Sequence, residues 1–135
     1  MFPQKTNPMH IGHIAIWTRD LEAMKLFYTR YFAGVSSKKY VNSAKEFESY
    51  FISFGSGASL ELMHKPTISN PGPAGDHAGI AHIAFTLGSV QAVLDLTETL
   101  RADGYTIAGE PRTTGDGFFE SVVLDVEGNR IELVA

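Results

Sequence analysis

The sequence predicts an α+β fold made of two consecutive modules, each with one strand, one helix and three further strands. The string His-Ile-Ala occurs at 13–15 and again at 82–84, and a Leu-Glu-Leu string at 60–62 is echoed by Ile-Glu-Leu at 131–133. The segment "FESYFISFGSGASLEL", which starts at Phe47, also matches "FESVVLDVEGNRIEL", which starts at Phe119, with the second copy shorter by one turn residue. A segment rich in Pro and Gly, "KPTISNPGPAGDHAG", lies between the two copies. Self-similarity of this kind is the signature of an internal duplication.

The first half begins with a strand followed by a helix. In "IGHIAIWT", Ile14 and Ile16 fall on one face of a strand, and His13, Ala15 and Trp17 fall on the other. Asp20 is a suitable N-cap for the helix "LEAMKLFYTRYF", and Gly34 is expected to end it. The helix has an apolar stripe made of Leu21, Met24, Phe27, Tyr28, Tyr31 and Phe32.

The remaining elements repeat this order. Three strands follow the first helix, at "KKYVN", "EFESYFISF" and, after the turn "GSG", "ASLELM". The second half has the strand "GIAHIAFTL", a helix "VQAVLDLTETLRAD" capped by Ser89 and ended by Gly104, and the strands "YTIAGE", "GFFESVVLDV" and "RIELVA". The prediction is one domain over 1–135, with module one at about 9–64, a linker at about 65–78 and module two at about 79–135.

Composition excludes several classes of function. The chain has 135 residues, 44% hydrophobic and 19% charged, which is typical of one globular domain. A net charge of −4 gives no basic surface for nucleic acid or an anionic membrane. No apolar run is long enough for a membrane span, and the first residues do not have the pattern of a secretory signal. We therefore expect a cytoplasmic protein whose partner is a small molecule.

The duplication places the same two chemical groups in each half. Each copy has a His in the middle of its first strand, His13 or His82, and a Glu in its last strand, Glu61 or Glu132. Either Glu alone is most simply explained by a solvated sheet face, because its two apolar neighbours point the other way. The repetition of both residues in both copies favours a shared role. The other histidines, His10, His64 and His77, have no counterpart in the repeat and are expected at the surface.

Two imidazoles and two carboxylates suit a divalent cation. The chain has no cysteine, so nitrogen and oxygen must hold any metal. If the first and last strands of each copy are neighbours and the two copies face each other, His13, Glu61, His82 and Glu132 surround one ion. Zinc or nickel, and also cobalt, manganese or iron, accept such ligands. Four protein ligands leave up to two positions open on a six-coordinate ion, which favours catalysis over structural bracing.

The landmarks "GHIAIW", "LELM", "GIAHIAF" and "GNRIELVA", in this order over the whole chain, resemble the vicinal oxygen chelate superfamily, and glyoxalase I (lactoylglutathione lyase) within it. The resemblance implies two βαβββ modules whose curved mixed sheets surround a metal site, usually completed by dimerisation. It also implies that His13, Glu61, His82 and Glu132 are the metal ligands.

The resemblance implies a reaction as well. A metal-dependent lyase or isomerase of this type converts the hemithioacetal of an α-ketoaldehyde and a thiol to a thioester through a metal-stabilised enediolate. Glu132 matches the catalytic residue that carries the proton between the two carbons. No organic cofactor is implied.

Two positions depart from the glyoxalase I pattern. That enzyme commonly has an Arg four residues after its first ligand and an Asn four residues after its second, both serving glutathione. This chain has Trp17 and Lys65 there, so the sequence does not indicate glutathione as the thiol. The alternatives are an extradiol dioxygenase, an acyl-CoA epimerase, a thiol transferase acting on an antibiotic, and a drug-binding resistance protein.

Overall fold

The computed structural model describes residues 8–69 and 77–135. Its contacts divide the chain into two compact units, Met1–Ser69 and Asn70–Ala135, which we call module one and module two and describe separately. The predicted linker at about 65–78 includes residues 70–76, which lie outside the described part, as do the first seven residues.

Module one is a sheet with one helix packed against it. Its elements are β1 (His13–Trp17), α1 (Leu21–Tyr31), β2 (Val35–Ser36), β3 (Tyr40–Asn42), a 3-10 turn (Ser43–Lys45), β4 (Phe47–Ser53) and β5 (Ser59–His64). The strand order is β1-β5-β4-β2, and β3 also pairs with β4. β1 is parallel to β5, and the other pairs are antiparallel. The first and last strands are therefore neighbours, as the sequence predicts.

The second strand of module one is shorter than predicted, and a separate two-residue strand that the sequence does not predict comes before it. Only Tyr40–Asn42 of "KKYVN" is strand, and Val35–Ser36 pairs separately with β4. Between them, the Ser37 amide donates to the Phe51 carbonyl, and the Phe51 amide donates to the Ser37 hydroxyl at 2.9 Å. A side-chain oxygen thus takes the place of a backbone carbonyl, which separates the two short strands.

Module two follows the predicted order without an additional strand. Its elements are β6 (Ile83–Thr86), α2 (Val90–Ala102), β7 (Ile107–Thr113), β8 (Phe119–Leu124) and β9 (Arg130–Val134). The strand order is β6-β9-β8-β7, with β6 parallel to β9 and the other pairs antiparallel. Two mixed sheets with one α-helix each confirm the α+β prediction.

One face of each sheet is buried by its helix. The apolar neighbours of the two glutamates, Leu60 and Leu62 in β5 and Ile131 and Leu133 in β9, are buried. From the helices, the buried residues are Leu21, Met24, Phe27 and Tyr28 in α1, and Val93, Thr97 and Leu100 in α2. Because side chains alternate along a strand, Glu61 and Glu132 must point to the opposite face. That face is where the sequence places the site.

The predicted N-caps are confirmed. The Asp20 carboxylate accepts from the Ala23 amide at 3.0 Å, and the Ser89 hydroxyl accepts from the Ala92 amide at 3.1 Å. Each cap satisfies a backbone donor that the first helical turn leaves unpaired.

The two helix ends differ from each other. Gly104 follows α2 with a φ of 92°, the left-handed conformation expected of a terminating glycine. After α1 the left-handed residue is Ala33, with a φ of 53°, so the expectation that Gly34 ends the helix through its backbone freedom is wrong. Gly34 is instead required for space, because a Cβ there would collide with Ile52 and lie 2.8 Å from the Tyr28 carbonyl oxygen.

The repeated string Phe-Glu-Ser, at 47–49 and 119–121, aligns the two modules one residue away from the alignment that strand pairing gives. Glu61 lies opposite Phe51, and Glu132 lies opposite Val122. Phe51 therefore matches Val122, and Glu120 matches Ser49 rather than Glu48. The similarity of the two strings is a local coincidence, and the hairpins of the two modules have the same length.

Within residues 8–69 and 77–135, no helix is both long and apolar enough to cross a membrane.

Candidate metal centre

The first predicted pair of ligands meets on the sheet face of module one that α1 leaves open. In the parallel pairing of β1 with β5, Ala15 lies opposite Glu61, which places His13 two residues earlier on the same face. The His13 Nε2 atom lies 3.6 Å from Glu61 Oε1. The imidazole is half exposed, whereas 18% of the glutamate side chain is exposed. The carboxylate is thus recessed beneath an accessible histidine.

Module two repeats this register. Ala84 lies opposite Glu132 in the parallel pairing of β6 with β9. The His82 Nε2 atom lies 3.2 Å from Glu132 Oε1, and the exposed fractions of the two side chains are 41% and 18%. The sequence expectation that each histidine lies in mid-strand is wrong, because His13 begins β1 and His82 directly precedes β6. His13 therefore stands at the start of its strand and His82 just before its strand, and both are exposed.

Within each pair, the nitrogen and the oxygen are separated by about the distance expected of two ligands on one cation. Nitrogen and oxygen ligands lie about 2.0–2.2 Å from a zinc ion, so two of them are about 3.0 Å apart at a right angle and about 3.4 Å apart at the tetrahedral angle. The observed separations are 3.6 Å in module one and 3.2 Å in module two. The separation within each pair is therefore compatible with two ligands on a divalent ion.

Each module by itself supplies two ligands of this kind. Among the residues that the structure describes, no three or more His, Cys, Asp or Glu side chains are gathered closely enough to hold a metal ion. A four-ligand site therefore needs both pairs, and its assembly from His13, Glu61, His82 and Glu132 stays a prediction.

The residues that surround the pairs differ between the modules. In module one the Phe51 ring meets the His13 imidazole edge to face, with centroids 5.3 Å apart and planes at 80°. This contact holds the orientation of the imidazole. The matching residue in module two is Val122, opposite Glu132, so His82 has no corresponding ring.

Glu120 is a charged residue of module two that the sequence reasoning missed. It lies two residues before Val122 on β8, on the same face as Glu132, and opposite Arg112 of β7. Burial, together with the charge of Glu132 and a hydrogen bond with it, raises the pKa of the Glu120 carboxyl, and Arg112 opposes this. The alternation of β8 could have revealed Glu120, but the misleading Phe-Glu-Ser match paired it with Glu48.

His64 does not belong to the site and is not a surface group. It is half-buried at the end of β5, and its Nδ1 atom donates to the Thr18 carbonyl at 2.8 Å. It also lines a cleft of ≈ 390 Å³ in module one, which none of the four candidate ligands lines. His10 and His77 are exposed, as predicted.

A family model described as the Glyoxalase/Bleomycin resistance protein/Dioxygenase superfamily matches residues 10–133. No curated protein matches the sequence significantly. Solved structures similar to the chain include the V278E mutant of glyoxalase I from Zea mays, with a TM-score of 0.76 at 21% identity over 93% of this chain and 44% of that one. The chain therefore spans less than half the length of the Zea mays protein.

Two other solved structures have lengths close to that of the chain. The trypanothione-dependent glyoxalase I of Leishmania major has a TM-score of 0.75 at 23% identity, covering 94% of this chain and 86% of that one. A glyoxylase/bleomycin resistance protein/dioxygenase domain from Frankia sp. EAN1pec has a TM-score of 0.80 at 15% identity, covering 95% and 98%. At these identities the likeness establishes the fold alone. Because the family model spans nearly the whole sequence, the chain belongs to the Glyoxalase/Bleomycin resistance protein/Dioxygenase superfamily.

Proposed function

We propose that the chain is a divalent-metal-dependent lyase or isomerase of the glyoxalase I type. The observation that carries the proposal is the imidazole–carboxylate pair, built at the same strand register in both modules. The superfamily includes many enzymes, and its members generally bind a divalent metal. A drug-binding protein would have no need to repeat a ligand pair.

The residues proposed to hold the ion are His13, Glu61, His82 and Glu132. Two carboxylates neutralise a dication, and their low exposure limits competition from water. When bound, the ion would act as a Lewis acid that stabilises negative charge on adjacent oxygens of the substrate. Zinc or nickel suits the ligand set, as do cobalt, manganese and iron.

Glu132 is proposed to carry the proton between the two substrate carbons. It matches the residue with this role in glyoxalase I, and it is recessed next to His82 at the open face of the sheet. A carboxylate in such a position can accept a proton from one carbon and return it to the next. The substrate would be the hemithioacetal of an α-ketoaldehyde, and the product a thioester.

The assembly proposed is a homodimer in the cytoplasm, with residues 1–135 acting as one functional domain. Two copies of the chain offer four imidazole–carboxylate pairs, enough for two four-ligand sites. Each site can combine the two pairs of one chain or one pair from each of two chains.

The test is an assay of the purified full chain after elemental analysis. Methylglyoxal is supplied with glutathione, trypanothione or a smaller thiol, and thioester formation is followed; oxygen uptake with catechol is measured in parallel. We expect one divalent metal per four-ligand site and thioester formation with one of the thiols. Absence of a stoichiometric metal, or oxygen uptake without thioester formation, would contradict the proposal.

Two histidine variants of module one provide a matched control. His13→Ala should lower the metal content and activity together, since it removes a ligand. His64→Asn retains a donor for the Thr18 carbonyl and lies off the site, so both quantities should stay at the level of the unmodified chain.

A further inference from the structure

Beyond the metal pair, the same face of module one has an exposed aromatic surface with a cation on it. Trp17, Tyr40 and Phe47 meet around Phe47, with ring centroids 6.1 Å apart in both contacts. The Lys65 ammonium lies 4.7 Å from the centroid of the Trp17 ring. We call these four residues the aromatic platform.

Strand register places the platform beside the candidate ligands. Trp17 lies opposite Met63, which is two residues after Glu61 on the same face. Two residues of a strand span about 6.6 Å, so a molecule of one or two rings can reach from the platform to the carboxylate. On the other neighbouring strand, Tyr40 lies opposite Ser49, which is buried.

The exposure of the platform is more than packing requires. Trp17 is 45% exposed and Tyr40 is 55% exposed, although both are large apolar side chains. An aromatic side chain presents about 150–250 Å², so the exposed area of the three rings is on the order of 300 Å². A stable protein interface needs about 800 Å² on each partner. The area therefore suits a small ligand better than a second chain.

The charge on the platform indicates what kind of ligand fits. Among the described residues, the Lys65 ammonium contacts the Trp17 ring and has no carboxylate partner within ion-pair distance. A cation held on an aromatic face can pair with an anion while the ring stacks against a flat apolar group.

We propose that the aromatic platform binds a planar ring that carries an anionic group, with the ring against Trp17 and Phe47 and the anion at Lys65. The substrate class that follows from this inference rests on the proposed function: the substrate would be a thiol or aldehyde whose distal part is an aromatic acid. The binding itself requires no metal and no turnover.

The test uses the single tryptophan of the chain. Its indole N–H gives one resonance in a nitrogen-15 correlation spectrum of the full chain, and 2-naphthoate is titrated against it. We expect a saturable shift, with affinity about 3- to 10-fold higher than for 2-naphthalenemethanol, which lacks the charge, or cyclohexanecarboxylate, which lacks the ring.

Two lysine variants separate the platform from general charge effects. Lys65→Gln should weaken 2-naphthoate binding by about 3- to 10-fold. Lys25→Gln is the matched control, because Lys25 also lies over a ring, 4.5 Å from the centroid of Tyr50, but on the helix side of the sheet. Its affinity should equal that of the unmodified chain.

Several results would overturn the proposal. The first three are no indole shift up to the solubility limit of 2-naphthoate, equal affinity for the three probes, and unchanged 2-naphthoate affinity in the Lys65→Gln variant. The fourth is an indole shift that depends on protein concentration alone, because this would show that a second copy of the chain covers the platform. Glu132→Gln should retain the 2-naphthoate shift. A chain that lacks thioester-forming activity but binds 2-naphthoate would therefore refute the proposed function and leave the platform intact.

Discussion

The open sheet faces of the two modules have the same histidine–glutamate pair but surround it with different side chains. In module one the neighbours are aromatic, with Phe51 against the imidazole and the platform two residues further along the strands. In module two they are charged, with Glu120 next to Glu132 and Arg112 opposite Glu120. We infer that module one is fitted to bind an apolar group beside its pair, whereas module two is fitted to handle charge.

The helix sides of the two sheets differ in a comparable way. Tyr50 and Ser121 occupy matching positions, and each links its strand to the helix through a hydroxyl. The Tyr50 hydroxyl donates to the Glu22 carboxylate at 2.8 Å, whereas the Ser121 hydroxyl lies 2.8 Å from the Thr97 hydroxyl. The hydrogen bond between strand and helix thus involves a charged carboxylate in module one and only uncharged hydroxyls in module two.

The largest expected difference between the modules is catalytic. Glu132→Gln should lower kcat by about 10²- to 10⁴-fold, because an amide cannot accept the proton, while much of the metal is retained. Glu61→Gln is the matched variant in module one, and its activity should fall only in proportion to lost metal. Steady-state assays normalised to metal content measure both effects. Equal losses per metal ion would show that the two carboxylates are equivalent.

The two glycines after the helices should differ in stability cost. Gly34→Ala places a Cβ against the Tyr28 carbonyl and Ile52 and should lower the free energy of unfolding by about 3 kcal/mol, the upper end for overpacking. Gly104→Ala meets nothing within 4 Å and costs only the left-handed conformation, about 1–2 kcal/mol. Urea denaturation of both variants checks the order, and a smaller loss for Gly34→Ala would refute the close approach.

The smallest expected difference concerns pH. The hydrogen bonds that Lys39 and Tyr50 donate lower the pKa of the Glu22 carboxyl. A carboxyl whose pKa is lower in the folded chain than in the unfolded chain stabilises the fold at pH values above its unfolded-state pKa. This stabilisation is lost as the pH falls through its folded-state pKa. Tyr50→Phe should therefore cost roughly 1 kcal/mol at neutral pH, allowing for the exposure of Glu22, and progressively less below about pH 4.

Ser121→Ala in module two is the control for this pH effect. It removes a buried hydrogen bond between uncharged hydroxyls, and Thr97 still donates to the Val93 carbonyl at 2.6 Å. Its cost of about 1 kcal/mol should be the same at neutral and acid pH. A parallel pH dependence of both variants in denaturation curves would contradict the role of the Glu22 charge.

Much of the fold follows from local patterns in the sequence. The caps at Asp20 and Ser89, the two helices and the alternation around Glu61 depend on neighbouring residues, and all are confirmed. The interruption between the two short strands of module one was not predictable, because it depends on a hydrogen bond between Ser37 and the distant Phe51.

The candidate site was only partly predictable. The pairing of each histidine with its glutamate followed from the duplication, since equal strand registers give equal contacts. Glu120 does not stand out in the sequence, because the repeated Phe-Glu-Ser string matches it to Glu48, whereas strand pairing matches it to Ser49. The role of Gly34 is not predictable from the sequence, because the space around it is set by tertiary contacts with Ile52 and Tyr28.

One cation shared by two nitrogen and two oxygen donors, drawn from both modules, is the central proposal for this protein. Anomalous difference maps, recorded on both sides of the metal's absorption edge from crystals of the purified full chain, test this directly. We predict a single peak for each site, within bonding distance of the imidazoles of residues 13 and 82 and the carboxylates of residues 61 and 132. A peak held elsewhere, two peaks each held by one pair, or no peak at all would contradict the account.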